Sequence, residues 1–389
     1  MPVIPLVGQM TPNGSPADAR ERRWFATVSG RAPLASTLCR SPSLAYLNGI
    51  YRVGATREIY QHREVRMKAV VMERYGAPDD VLKLTDVAKP APKAGEVLVR
   101  VLAASINDWD WGMVRGAPFV VRMLNGLFTP KVQIIGGDIA GRVEAVGKNV
   151  KAFQPGDEVY GDLCMNGFGA FAEYACAPEA CLAHKPAKMT FEQAAAIPQA
   201  GMLAVQGLID VGRIQSGQKL LLNGAGGGVG TFALQLAKLY DVEVTVVDKP
   251  GKLDMLRAMG ADHVIDYLKE DFTQGGKGYD LILDVQTNRS PFAYTRALNP
   301  NGTYVTVGGS TPRLLQALVL DPLTSRLYHK HMRIAALKPN KDLAYINELF
   351  ETGKLTPVID GPYNLANLPE AFRFFGTGDH KGKIIVTMA

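Results

Sequence analysis

A glycine-rich segment in the middle of the chain carries the pattern with the most specific chemistry. Ala225, Gly227 and Gly230 occupy the first, third and sixth positions of a G-x-G-x-x-G pattern, with alanine in place of the first glycine. Glycine lets the backbone turn tightly against a pyrophosphate, and the N–H groups at the next helix N-terminus hold the anion. The pattern predicts a dinucleotide-binding loop, and a purely structural glycine turn is the alternative. The expected loop contacts are Gly224, Ala225, Gly226, Gly227, Gly228, Val229 and Gly230.

The residues around this loop predict the elements that position it. The apolar stretch 220–222 precedes it as a short strand, apolar residues at helical spacing follow it, and residues 243–247 read as a second strand. Asp248 ends that strand, 18 residues after Gly230 (248 − 230). A carboxylate at this place accepts hydrogen bonds from ribose hydroxyls and repels a 2′-phosphate. Asp248 therefore favours NAD.

The charge of the chain is unevenly distributed. Of the 389 residues, 1–66 hold nine arginines, no lysine and four acids, and the other 323 hold 34 basic and 33 acidic residues. The body is thus nearly neutral, and we expect no nucleic-acid partner. No apolar stretch approaches membrane-spanning length, so we expect no membrane partner. We expect residues 1–66 to be a disordered extension, with an organelle transit peptide as the alternative, and the protein to be cytoplasmic.

The body divides into a β-rich part and a part in which strands and helices alternate. From residue 67 to about 190, short strands are predicted between frequent glycines and prolines, among them residues 68–72, 81–84, 96–104, 141–146 and 171–176. Six later strands with crossover helices predict a doubly wound parallel sheet. They are residues 219–223, 243–247, 263–266, 280–284, 303–307 and 333–337. A last short strand, 383–387, could return to the β-rich part.

Several longer stretches together resemble one known family. They include AASINDWDWGMVRG (103–116), IIGGDIAGRVEAVG (134–147), GAFAEYACAPE (169–179), NGAGGGVGTFALQLAK (223–238) and HKGKIIVTM (380–388). The body, 67–388, looks like the medium-chain dehydrogenase/reductase superfamily, and more narrowly like its zinc-free branch of quinone oxidoreductases and zeta-crystallin. The resemblance implies an α/β fold: a GroES-like β-rich catalytic domain, 67–190 with 338–389, and a six-stranded parallel Rossmann domain, 191–337.

The same resemblance bears on zinc. The zinc alcohol dehydrogenases of this superfamily place a cysteine where this chain has residues 106–108, and a Gly-His-Glu triplet where it has Gly136, Gly137 and Asp138. A structural zinc lobe would need four closely spaced cysteines, which are absent from the sequence. We therefore expect no metal ligands and no zinc.

Without zinc, the resemblance favours reduction over alcohol oxidation. Hydride transfer to a quinone or conjugated enone needs a nicotinamide aligned with a flat electrophile and little help for the oxyanion. The alternatives are an alcohol or aldehyde dehydrogenase, an enoyl-thioester reductase, and a non-catalytic NADPH-binding protein with a structural or RNA-binding role. By resemblance, the pocket candidates are Asn107, Asp110 and Trp111, each with a structural alternative in loop capping or core packing.

The resemblance also extends the expected cofactor contacts beyond the glycine loop. A lysine near Lys252 is common in relatives that use NADP, so we expect NADPH (NADP) to be used and NADH (NAD) to be tolerated. The alternative for Lys249 and Lys252 is that they are exposed lysines at a helix start. The partner is expected to be a small-molecule electrophile, and the assembly a homodimer. The further expected contacts are Tyr267, Val285, Gln286, Val307, Gly308, Gly309 and Lys383.

Overall fold

The computed structural model describes residues 65–309 and 311–388. The described residues belong to one compact unit. The predicted disordered extension covers residues 1–66, and residues 1–64 of it lie outside the described part of the chain. Within the described part, no helix combines the length and apolar character needed to cross a membrane.

The first part of the body is β-rich, as predicted. Its strands are β1 (Arg66–Val71), β2 (Lys83–Ala88), β3 (Glu96–Ser105), β4 (Asp138–Val146), β5 (Glu158–Asp162), β6 (Tyr174–Pro178) and β7 (Leu182–His184). Its helices are α1 (Pro78–Val81), α2 (Asp108–Arg115) and α3 (Phe119–Asn125). The predicted strand over residues 81–84 is confirmed for 83 and 84, which begin β2, and is wrong for 81 and 82. Pro78 and the acidic Asp79 and Asp80 begin a helical turn there, because proline and acids suit a helix N-terminus, and β2 starts only at Lys83.

The middle of the body alternates strands and helices. It begins with α4 (Phe191–Ala196) and α5 (Pro198–Val205), which a π-helical segment, Gln206–Val211, extends. The strands are β8 (Lys219–Asn223), β9 (Glu243–Asp248), β10 (His263–Asp266), β11 (Tyr279–Asp284), β12 (Leu298–Thr306) and β13 (His331–Ile334). The helices between them are α6 (Gly228–Ala237), α7 (Pro250–Ala258), α8 (Pro291–Ala297) and α9 (Thr311–Tyr328).

The six strands form one parallel sheet in the order β10-β9-β8-β11-β12-β13. This is the doubly wound order, in which the chain reverses direction across the sheet between β8 and β11. Ligands of such sheets bind at the carboxyl ends of the strands beside that reversal. The predicted parallel sheet is confirmed, and its topology places the glycine loop after β8 at the reversal.

The last segments return to the β-rich part. They are α10 (Leu343–Glu351), β14 (Ile359–Asn364), α11 (Leu368–Thr377) and β15 (Lys383–Thr387). β15 pairs antiparallel with β3, so that Ile385 faces Ser105, within a sheet in the order β14-β15-β3-β4-β5-β7 with β6 also paired to β3. The suggested return of 383–387 is confirmed. It carries Gly382 and Lys383 to the glycine loop, where Gly382 N–H donates to the Gly226 carbonyl at 2.9 Å.

Gly230 shows why the turn between β8 and α6 needs glycine. A Cβ at this position would lie 2.4 Å from both the Ala225 Cα and the Gly224 carbonyl oxygen. We expect Gly230→Ala to destabilise the fold by about 3 kcal/mol, because backbone atoms cannot move aside as a side chain can. Thermal unfolding of the full chain measures the loss.

Gly251 in α7 is the matched control, since a Cβ there meets no atom within 4 Å. Gly251→Ala should be neutral or stabilising by up to about 1 kcal/mol, because alanine restricts the unfolded chain and favours helix. An unchanged unfolding temperature for Gly230→Ala would contradict the tight approach of α6 to the loop.

Candidate active site

A cavity of about 430 Å³ lies at the carboxyl ends of β8, β9 and β11. Its opposite wall comes from α2 and from the segment that joins α11 to β15. The position agrees with the ligand crevice of a doubly wound sheet. The predicted site residues that line it are Asn107, Trp111, Gly224, Gly227, Gly228, Val229, Asp248, Lys249, Lys252, Tyr267, Val285, Gln286 and Lys383.

The glycine loop presents the N-terminal end of α6 to this cavity. Gly224 has a φ of +86°, which a glycine adopts without strain, and α6 begins at Gly228. The first N–H groups of a helix have no partner within the helix, and its dipole is positive at this end. Gly227, Gly228 and Val229 can therefore hold a phosphate. The remaining predicted loop residues, Ala225, Gly226 and Gly230, shape the loop behind the cavity wall.

The Asp248 carboxylate is already engaged by nearby protein groups. Its Oδ2 accepts from Gly226 N–H at 2.6 Å, and its Oδ1 accepts from Lys249 N–H at 2.8 Å. The Lys252 ammonium lies 3.7 Å from Oδ1. The carboxylate therefore already closes the glycine loop, and its capacity to accept from a ribose is reduced.

Two lysines follow Asp248 in different environments. Lys252 is buried, and burial lowers its pKa despite the nearby Asp248 carboxylate. The 3.7 Å approach to Asp248 is its one salt-bridge contact within the described residues. The Lys249 ammonium instead donates to Asp379 Oδ1 at 2.8 Å and to the Thr377 carbonyl at 2.5 Å. The alternative, that both are exposed lysines at a helix start, is wrong for Lys252.

Lys383 provides a third ammonium, at the floor of the cavity. Its Nζ donates to the Asn107 amide oxygen, to the Ile106 carbonyl at 3.1 Å and to Asp138 Oδ2 at 3.2 Å. Only 3% of Lys383 is exposed. Three acceptors match the three N–H bonds of an ammonium group, which is how a buried charge is tolerated.

The Lys383 ammonium fixes the orientation of the Asn107 amide. An ammonium group only donates, so the amide must turn its oxygen to Lys383 and its NH₂ group away. The Nδ2 atom is buried and has no hydrogen-bond partner within the described residues. Asn107 thus brings a donor without a protein acceptor to the cavity wall. The backbone is held too, since Asn107 N–H donates to Asp110 Oδ2 at 2.9 Å.

A group of buried carboxylates surrounds this floor. Asp110 lies behind the cavity, where it also accepts from Gly136 N–H at 3.2 Å, and burial raises its pKa to about 7. Asp138 accepts from Ser105 Oγ at 2.9 Å and from Gln199 N–H at 3.2 Å. Burial and the Asp138 charge raise the pKa of Asp162 to about 6. Asp110 thus positions the start of α2 and Asp138 the Lys383 ammonium, and none of the three acids lines the cavity.

Part of the cavity wall is aromatic. Trp111 packs against Phe375 with ring centroids 6.2 Å apart, and Phe375 stacks on His380 at 4.9 Å. All three residues line the cavity. Burial and the charges of Lys252, Lys383 and Lys249 lower the pKa of His380 to about 4, so this ring is neutral near pH 7. Flat apolar walls of this kind suit a planar ligand.

The structure adds lining residues that the sequence analysis missed. Asn223 ends β8 directly before the loop, which was a usable signal. The segment 375–380 gave none, because only the pairing of β15 with β3 brings it to the cavity. Gly382, which the resemblance places beside the dinucleotide together with Lys383, also lines the cavity. The missed lining residues are Ile106, Asp108, Ala200, Asn223, Val247, Asn288, Phe375, Gly376, Thr377, Gly378 and His380.

Three predicted cofactor contacts lie beside the cavity without lining it. Val307, Gly308 and Gly309 follow β12, where Val307 N–H donates to the Asp284 carbonyl and the Gly308 carbonyl accepts from Thr287 Oγ1 at 2.6 Å. Within 65–309 and 311–388, no group of three or more His, Cys, Asp or Glu side chains is arranged to hold a metal ion. Gly137, the position of the zinc-ligand histidine in the resembled enzymes, is bordered by Asp162, Cys164 and Gln199.

Comparison with known proteins agrees with this geometry. Residues 93–187 match the family model described as the alcohol dehydrogenase GroES-like domain, and residues 259–386 match that described as zinc-binding dehydrogenase. A chloroplastic quinone-oxidoreductase, QR1, of Triphysaria versicolor is 33% identical over 82% of this chain and 98% of its own. The chain belongs to the medium-chain dehydrogenase/reductase family. It is an oxidoreductase of that family and takes a nicotinamide cofactor.

Other members of the medium-chain family are similarly close. The NADPH-dependent alkenal/one oxidoreductase of Arabidopsis thaliana is 32% identical over 82% of this chain and 79% of its own. The structure of the quinone oxidoreductase from Coxiella burnetii superposes with a TM-score of 0.73 at 28% identity, over 84% of this chain and all of that one. The predicted GroES-like and Rossmann folds are thus confirmed.

The raised pKa of Asp110 predicts a pH-dependent stability. Asp110 keeps its proton in the folded state up to about pH 7 but loses it near 3.8 when unfolded. Its contribution is therefore full below about pH 4 and is lost as the pH rises through 7. Asp110→Asn, which cannot ionise, should gain stability relative to the parent by up to about 1.4 kcal/mol per pH unit in that window.

Denaturant unfolding of both proteins across that pH window measures this difference. Asp271 provides a control of opposite sign, because hydrogen bonds from Thr273 outweigh burial and lower its pKa. Asp271→Asn should lose stability relative to the parent as the pH rises. A pH-independent difference for Asp110→Asn would show that Asp110 is ionised in the fold.

Proposed function

We propose that this oxidoreductase transfers hydride from NADPH, with NADH tolerated, to a small quinone or conjugated enone without a catalytic zinc. One observation carries the proposal. One cavity is lined by the glycine loop, by three lysines, by an aromatic cluster and by Asn107, whose amide the Lys383 ammonium contacts. The printed names of the relatives, quinone oxidoreductases and an alkenal/one oxidoreductase, support the same substrate class.

The glycine loop and the two lysines after β9 fit a dinucleotide. The N-terminus of α6 faces the cavity, and a phosphate bound there would meet Gly227, Gly228 and Val229. Lys249 and Lys252 flank the carboxyl end of β9, where the adenosine ribose lies in doubly wound folds. Lys252 supports NADPH, since its ammonium lacks a close anionic partner. The Asp248 oxygens are engaged by backbone N–H groups, which weakens the case for strict NAD use.

The Asn107 amide and the aromatic residues of the cavity wall fit a flat electrophile. When bound, the reduced nicotinamide supplies the hydride. The Asn107 Nδ2 can donate to the substrate oxygen that gains negative charge, and the Lys383 ammonium keeps the amide in that orientation. Trp111, Phe375 and His380 exclude water from the ring of the substrate. Hydride addition leaves an enolate or a hydroquinone anion, and a proton from solvent then neutralises it and completes the reduction.

Zinc independence is part of the proposal. The amide of Asn107 and the bare backbone of Gly137 stand where zinc-dependent relatives are expected to supply cysteine and histidine, and the Lys383 ammonium already contacts Asn107. An ammonium group at this distance opposes the approach of a dication. The domain division, 67–190 with 338–389 and 191–337, is also proposed. It is supported by a seven-stranded and a six-stranded sheet built from those segments. The homodimer and the cytoplasmic location remain predictions.

Turnover by the full chain tests the proposal. We expect NADPH to be oxidised by benzoquinone, phenanthrenequinone and a short enone. The rate, measured as the loss of NADPH absorbance, should not change when a metal chelator is added. Tight NADPH binding without turnover would overturn the quinone and enone assignment and favour a non-catalytic role. A rate abolished by chelator and restored by zinc would overturn zinc independence.

Asn107→Ala tests the proposed donor. We expect kcat to fall about tenfold to a hundredfold, because one hydrogen bond to the developing oxyanion is lost. The affinity for NADPH, measured by quenching of tryptophan fluorescence, should change little, because the amide does not reach the phosphates. An unchanged kcat, or an equal loss of NADPH affinity, would contradict the role of the amide.

A further inference from the structure

The Lys249–Asp379 ion pair joins the two walls of the cavity. Lys249 follows β9 on the side of the six-stranded sheet, and Asp379 lies between α11 and β15. The ammonium reaches Asp379 Oδ1 at 2.8 Å and the Thr377 carbonyl at 2.5 Å. The hydrogen bond to Asp379 raises the pKa of Lys249, and the same bond lowers the pKa of Asp379. The lysine is therefore charged and committed to this partner.

This pair contrasts with the lysine one turn further along α7. Lys252 lines the same end of the cavity, is 5% exposed and has only the 3.7 Å approach to Asp248. Lys249 also lines the cavity, but its charge is neutralised outside it by a carboxylate whose side chain is 59% exposed. A group with two negative charges placed here would be matched by both ammonium groups only if Lys249 left Asp379.

We propose that Asp379 sets the choice between NADPH and NADH by holding the Lys249 ammonium away from the 2′-phosphate. The inference rests on the proposed use of both cofactors. NADH brings no phosphate to the ribose, so its binding leaves the ion pair intact. NADPH must compete with Asp379 for Lys249, and the nearby carboxylate also repels the phosphate. Asp379 thus lowers the preference for NADPH while touching neither cofactor, and acts as a positioning residue through Lys249.

Because the Lys249–Asp379 ion pair is exposed to solvent, breaking it requires little free energy. An ion pair exposed to this degree contributes little to stability, so a 2′-phosphate can displace it. Gly376 and Gly378 flank Thr377 in the segment that carries Asp379, and Gly378 has a φ of +67°. The Asp379 N–H donates to Thr377 Oγ1 at 3.1 Å, so the backbone stays in place when the side chain changes.

Calorimetric titration of the full chain with adenosine 2′,5′-bisphosphate and with 5′-AMP tests the proposal, because these ligands differ only in the 2′-phosphate. Asp379→Asn should tighten the bisphosphate about fivefold and leave 5′-AMP unchanged. Asp379→Glu should restore the parent's ratio of the two affinities. The gain should shrink at high salt, where charges at the surface are screened.

The route through Lys249 has its own control. In a Lys249→Met background, Asp379→Asn should no longer change the ratio of the two affinities. A persistent gain would overturn the role of Lys249, and an unchanged ratio for Asp379→Asn alone would overturn the whole inference. If neither ligand binds the parent, the nucleotide site itself is wrong and the inference falls with it. If the parent binds 5′-AMP but not the bisphosphate, NADPH use is wrong. The inference about Asp379 is then overturned as well, unless Asp379→Asn makes the bisphosphate bind.

Discussion

The buried ammonium of Lys383 is the contact on which the site depends. It lies at the start of the last strand, and its acceptors, the Ile106 carbonyl, the Asn107 amide and the Asp138 carboxylate, come from the first third of the described chain. Removing such a charge from water costs several kcal/mol, which only a full set of acceptors offsets. The same contact therefore fixes α2, the amide of Asn107 and the path of the segment that closes the cavity.

The neighbouring Gly382 extends this constraint to the other sheet. Its N–H donates to the Gly226 carbonyl, and the two backbones form a parallel bridge at Gly227. The glycine loop is thus tied to the β-rich sheet at the point where a pyrophosphate would lie. Asp248 ties the same loop to β9 through Gly226 N–H. The phosphate-binding backbone is held from both sides before any ligand arrives, which reduces the ordering that binding requires.

Charge is separated across the site. Asp110, Asp138 and Asp162 lie beneath the floor, whereas Lys249, Lys252 and Lys383 line the cavity itself. Burial, together with the charges of the lysines, lowers the pKa of His380 and keeps it neutral, so the aromatic residues carry no charge near pH 7. This arrangement suits an anionic cofactor together with a neutral planar electrophile. Membership of the family gives the fold, and these local residues define the proposed chemistry.

The sequence by itself determined the parts of the fold that follow from local patterns. The glycine spacing located the loop from Gly224 to Gly230, and apolar runs located all six strands of the parallel sheet, with ends shifted by a few residues at β12 and β13. It placed the start of β2 too early, at residue 81, because Pro78 and two acids begin a helical turn there. A short apolar run does not by itself distinguish a strand from a helical turn.

Only the tertiary structure decided which distant residues meet. The pairing of β15 with β3 brought Phe375 and His380 to the cavity, and no local pattern encodes a contact between residues more than 250 positions apart. It also decided that the Asp248 oxygens serve the loop, that Lys252 is buried and that Lys249 is paired. Burial and charge pairing depend on neighbours from several segments, so the residue types alone could not settle them.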